Sequence, residues 1–153
     1  MLSFLLAVVL VGGGFAKEPP AEVRAVIAKA NAALVDDDRD EAARLLEPVA
    51  LRSPEAALLY ARAGGRSEAQ AVVEDDPAAL FLAGCLGTSR TERDAHFRRV
   101  VEIAPKEVWG PLGRAVAALE ADAVADAIPL FERAMAIAPR EPAVLAGLAT
   151  SLT

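Results

Sequence analysis

The chain has 153 residues, 54% of them hydrophobic and only 5% aromatic, so Ala, Leu and Val must supply most of the packing. Its formal charge is −6, with 22 acidic residues against 16 basic ones; this argues against a general nucleic-acid binder, which carries phosphate-neutralising Lys and Arg in excess. A single cysteine, Cys85, and a single histidine, His96, exclude an intramolecular disulfide and supply too few ligands for a Cys/His zinc site.

Residues Met1 to Ala16 carry no charged side chain. Leu2 to Val11 form an apolar run, Gly12-Gly13-Gly14 and Phe15-Ala16 follow, and the first charges are Lys17 and Glu18. An apolar run closed by small residues fits a cleaved export signal over residues 1–16. Gly14 and Ala16 then occupy the −3 and −1 positions of a cut before Lys17. The expected location is periplasmic or extracellular. The alternative is a membrane anchor retained at residues 1–16, although a span takes about 20 apolar residues.

Residues 17–153 read as one all-α domain, because Ala and Leu are strong helix formers and β-branched runs are nearly absent. Pro20 to Val35 reads as the first helix, with the apolar stripe Val23, Val26, Ile27, Ala30 and Leu34. Asp36-Asp37-Asp38 is expected to cap the next helix and place negative charge at its start. It lacks the spacing of a calcium loop. Gly64-Gly65 and Gly87-Thr88-Ser89 read as turns. Prolines at 54, 77, 105 and 139 are expected to end helices, since the ring removes a donor and disfavours helical geometry before it. After Pro139 another first helix begins, Pro142 to about Leu152, bearing Val144, Leu145, Leu148 and Leu152 with no charge beyond Glu141. It either tucks against the preceding helices or leaves an apolar surface for a partner or a second copy of the chain.

The prolines also mark a period. Pro20 to Pro54 and Pro105 to Pro139 are each 34 residues apart. Phe97-Arg98-Arg99-Val100-Val101-Glu102-Ile103-Ala104-Pro105 aligns with Phe131-Glu132-Arg133-Ala134-Met135-Ala136-Ile137-Ala138-Pro139, and Gly113 and Gly147 each follow their proline by eight residues. A 34-residue helix–turn–helix unit ending in Pro resembles the tetratricopeptide repeat. Trp109-x2-Leu112-Gly113-x2-Val116 resembles the first-helix signature, with Val where Tyr is usual. Ala127, Phe131, Ala134 and Pro139 fall on the second-helix positions. The first unit matches through Asp40-Glu41-Ala42, Leu46, Val49 and Pro54. The second matches through Ala57, Tyr60, Gly64 and Ser67-Glu68-Ala69, and the third through Ala83-Gly84, Phe97 and Pro105, with Arg93 where small Ala is expected.

The resemblance implies a right-handed α-solenoid of stacked antiparallel helix hairpins, with units at about 20–54, 55–77, 78–105 and 106–139 and a half unit at 140–153. Each pair is too small to close its own core and must bury its apolar face on its neighbours. Small residues at Gly113 and Ala127 should admit close backbone approach, with Phe131 filling the groove between units. The resemblance further implies a concave groove that holds a protein or peptide partner, no cofactor, and no catalysis. It places Arg62 and Arg114 towards that groove, where guanidinium groups would favour carboxylates.

Nothing in the chain assembles a nucleophile–base set. His96 lies on a helix between Arg93 and Arg98, with Glu92 four residues back. Cys85 sits in an apolar stretch beside Gly84 and reads as a structural thiol. The four-residue spacings Asp94–Arg98 and Arg98–Glu102 describe a salt-laced helix face, and Asp122, Asp126 and Glu132 read as solvated. The expected function is a non-catalytic binding scaffold of the cell envelope. The competing reading is a structural or membrane-tethered accessory subunit acting by shape and by its apolar last helix.

Overall fold

The computed structural model describes residues 19–66 and 76–153. The proposed leader at 1–16 and the Ser67-Glu68-Ala69 segment of the second unit lie outside the described residues. Eight α-helices run in order among the described residues: α1 (Ala21–Val35), α2 (Arg39–Leu46), α3 (Pro54–Arg62), α4 (Pro77–Leu86), α5 (Arg90–Ile103), α6 (Trp109–Glu120), α7 (Val124–Ile137) and α8 (Pro142–Ser151), with a short 3-10 turn Glu47–Val49 after α2. The described residues form no strand, so the chain is all-α.

Local chemistry explains most boundaries. Asp38 caps α2 by accepting a hydrogen bond from the Glu41 backbone N–H at 3.1 Å, as the aspartate run predicted. Ser53, Asp76 and Ser89 cap α3, α4 and α5 in the same way, accepting from the N–H groups of Ala56, Ala79 and Glu92. The prolines take several positions, and Pro129 lies inside α7. Pro105 and Pro139 lie just past helix ends and Pro142 opens α8, as expected, but Pro54 and Pro77 are the first residues of α3 and α4. The first turn of a helix needs no N–H from that residue, and the fixed φ suits it. Two of the turns between paired helices use an aspartate in the left-handed region: Asp37 with φ 60° and Asp122 with φ 58°. After α3 the turn falls to Gly64, at φ 81°.

The helices pack in chain order. α1 lies on α2, α4 on α5 and α6 on α7; across pairs, α2 meets α3, α3 meets α4, α5 meets α6 and α7 meets α8. The helices that open each expected unit, here called the opening helices (α1, α3, α4, α6 and α8), also touch each other, α1 with α3, α4 with α6 and α6 with α8. One contact breaks the sequence, because α3 also meets α8.

Burial follows the apolar stripes. On α1, Val23, Ile27 and Ala30 are buried, whereas Val26 and Leu34 are only partly covered. Phe81, Phe97, Phe131, Leu46, Leu82 and Leu112 are the largest fully buried side chains among the described residues. Phe81 lies against Phe97 at 5.7 Å between ring centroids and against Trp109 at 5.0 Å, edge to face, arrangements that aromatic rings prefer.

The 34-residue period reappears as a packing contact. A methyl group added to Gly113 on α6 would stand 2.3 Å from the Phe97 ring, and one added to Gly147 on α8 would stand 2.2 Å from the Phe131 ring. Each phenylalanine therefore seats on a glycine of the next opening helix, 16 residues further along. Phe131 thus fills the groove before Gly147, while the close approach at Gly113 belongs to Phe97. Ala127 is fully buried.

Arg93 finds room in place of a small residue because glycines surround it. Its Cγ lies where a Gly87 side chain would begin, 2.8 Å from that position, and its Nε donates to the Gly84 carbonyl at 3.0 Å. The charged face of α5 forms as the spacing predicts at Asp94–Arg98, 2.7 Å, while Glu102 takes Arg99 at 3.1 Å. α8 divides its apolar residues: Val144 is fully buried and Leu148 partly covered, but Leu145 is 46% and Leu152 68% exposed.

Candidate functional site: a cavity among the opening helices

The apolar stripes of α3, α6 and α8 do not fill all the space between them. They border an open cavity of about 490 Å³ whose walls include Leu58, Leu59, Cys85, Val116, Ala143 and Ala146. Four charged residues complete the lining: Glu55 and Arg62 from α3, Arg93 from α5 and Glu120 from α6. An apolar cleft with a few convergent polar groups is the usual character of a binding site.

The polar groups are not equivalent. Arg93 and Glu120 form an ion pair at 2.6 Å, with the arginine side chain only 19% exposed. That bridge joins α5 to α6 and leaves neither charge unmatched. Arg62, in the last turn of α3, is exposed and enters no ion pair or hydrogen bond among the described residues. Glu55, in the first turn of α3, is half-buried, and burial pushes its carboxyl above the ordinary range. Cys85 is half-buried at the cavity wall; desolvation pushes its thiol up to about 12, so at neutral pH it is a protonated thiol and a poor nucleophile.

Of the two arginines singled out from the sequence, the structure brings only Arg62 to the cavity. The Arg114 side chain is on the α5 side of α6, with its Nε 3.8 Å from Asp94 Oδ1, and that Nε is buried without a hydrogen-bond acceptor among the described residues. The rotation of α6 accounts for this placement: Trp109 packs on Phe81 and Gly113 receives Phe97, which turns Val116 and Glu120 inward instead. His96 lies half-buried on α5 and is not part of the cavity lining.

The sequence reading missed Glu141. It occupies the position before Pro142 at the start of α8, is only 3% exposed, and its Oε1 has no hydrogen-bond donor among the described residues. Burial, and then the neighbouring Glu55 charge, raise its carboxyl to about 7. The signal was faint: a lone acid before Pro142, with Ala138 and Val144 on either side, on a helix that otherwise carries no charge.

A second cavity, also about 490 Å³, lies between α1 and α2 and is lined by Lys29, Asp36, Asp38, Glu41 and alanines. Asp38 and Glu41 there are already engaged, in the α2 cap and with Arg44. Among the described residues, no three His, Cys, Asp or Glu side chains are grouped to hold a metal ion. No helix of the described residues is long and apolar enough to cross a membrane. No protein-family model matches the chain, and no curated protein or solved structure matches it either.

Proposed function

We propose that the chain is a non-catalytic protein-binding scaffold, a tetratricopeptide-like stack of helix hairpins exported to the cell envelope, which holds a peptide segment of its partner in the cavity among its opening helices. The observation that carries this reading is the cavity itself. It is walled by α3, α4, α6 and α8, the positions at which the repeat resemblance puts the partner, and it combines an apolar wall with an arginine that no described acid engages. Support for the stacking comes from the paired seats Phe97–Gly113 and Phe131–Gly147 at the repeat interval.

The chemistry of the lining narrows the partner. Leu58, Leu59 and Val116 suit apolar side chains, and Arg62 suits a carboxylate, which guanidinium binds in a two-pronged, charge-assisted manner. Arg114 lies beside Asp94 and does not line this cavity. The test uses the full chain as bait in a native envelope extract, beside Arg62→Ala and Leu58→Arg. The reading expects a partner recovered by the unaltered chain, weakened by Arg62→Ala and lost with Leu58→Arg while helicity is unchanged. Equal recovery by all three would remove the cavity from partner binding. N-terminal sequencing of the exported protein should begin at Lys17; a chain still starting at Met1 in the membrane fraction would favour the tethered form.

A further inference from the structure

The contact between α3 and α8 joins helices that begin 88 residues apart in the chain. At this junction, the N-terminal ends of both helices present an acid. Glu141 precedes the first residue of α8, and Glu55 lies in the first turn of α3. Glu141 is buried to 3% exposure, with one carboxylate oxygen lacking any donor among the described residues. An ionised carboxylate in that situation is costly unless a cation or several N–H groups compensate it. A carboxylic acid there costs far less, since only a neutral group is withdrawn from water.

Among the described residues, no cation near the junction supplies compensation. Around α8, the charged residues are Glu55 and Arg62 on α3, Arg114 and Glu120 on α6, Asp126, Glu132 and Arg133 on α7, and Arg140 just before Glu141. Glu120 is held by Arg93, and Arg114 lies beside Asp94. Asp126, Glu132, Arg133 and Arg140 are exposed. Arg62 is seven residues beyond Glu55, about 10 Å along the helix. Glu55 is the one described charge that bears on Glu141, and it acts to keep the proton on; the Ala143 backbone N–H opposes it more weakly.

We propose that the α3–α8 junction is a proton-operated closure, in which α8 seats on α3 while Glu141 carries a proton and parts from it when Glu141 loses that proton to solvent beside Glu55. The cavity then keeps its α3–α8 wall under mildly acidic conditions and widens on that side as the pH rises past neutrality. The position of Glu141, with its carboxyl raised to about 7, puts the transition where modest acidification crosses it. As a control on partner access this rests on the cavity being the binding site; as a movement of α8 it does not.

Hydrogen exchange of the full chain at pH 5 and pH 8, corrected for the intrinsic pH dependence of exchange, reads the closure directly. The expected result is a loss of protection of about tenfold or more in α8 and the first turn of α3 at pH 8, with α4 and α5 keeping theirs. Glu141→Gln, a neutral stand-in for the protonated acid, should hold protection constant, and Glu55→Gln should shrink the loss. Four results would overturn the proposal: α8 protection that ignores pH, the same loss in Glu141→Gln, an undiminished loss in Glu55→Gln, or all helices losing protection together. Because the experiment involves no partner, its failure leaves the binding reading standing, and failure to recover a partner leaves the closure standing.

Discussion

The Phe97 and Phe131 seats share one geometry in two different settings. Phe97 lies in the core, pressed on Gly113 from one side and Gly84 from another, with Phe81 at 5.7 Å. Phe131 presses on Gly147, but α8 behind it has exposed Leu145 and Leu152 on its outer surface. The same ring-on-glycine contact is therefore rigid in one place and backed by a less covered helix in the other. The seat covered from several sides should resist change, and the seat backed by a less covered helix should yield.

The largest expected effect comes from emptying the more covered seat. Phe97→Ala should destabilise by about 3–5 kcal/mol in urea unfolding, the range for a buried aromatic truncated to alanine, and Phe131→Ala by clearly less. Equal losses would break the distinction between the two seats. Next comes pH, whose effect near neutrality should fall on the α3–α8 junction. The Glu141 carboxyl rises from its ordinary 4.5 to about 7 in the folded chain, so the folded state holds that proton more tightly than the unfolded state. The contribution of Glu141 to stability should be constant below pH 4.5, fall as the pH rises to about 7, and level off above it. The shift corresponds to about 3 kcal/mol at most, and Glu141→Gln should flatten the curve.

Glycine replacements sharpen the same contrast at smaller scale. Gly113→Ala forces a methyl group onto a ring that cannot retreat, costing about 1–3 kcal/mol against about 1 kcal/mol of improved helix propensity. Gly147→Ala should be close to neutral by thermal melting, because α8 can shift. Smallest of all is the exposed Asp94–Arg98 pair on α5, where Arg98→Ala should change stability by less than about 0.5 kcal/mol.

What the sequence made legible was whatever recurs locally. The helices, the Asp38 cap and the matched Phe and Gly positions follow from spacing that is visible in the letters. Pro54 and Pro77 misled in part, since proline stops one helix and starts the next with equal ease, and only the capping Ser53 and Asp76 tell the two apart. The placement of Arg114 depends on how α6 is rotated, which Trp109 and Phe81 decide from different helices. The meeting of α3 with α8, and with it the burial of Glu141 beside Glu55, depends on how all the intervening helices pack. No short stretch of sequence carries that information.

The claim beneath all of this is that neighbouring helix pairs lock together where a phenylalanine enters a glycine notch. A double-mutant cycle between Phe97→Leu and Gly113→Ala, read by urea unfolding, measures that lock. If the ring occupies the space above Gly113, the added methyl should cost at least about 1 kcal/mol less in the Phe97→Leu background than in the parent chain. Costs that simply add, to within about 0.5 kcal/mol, would mean that the two residues do not meet and would contradict the packing described here.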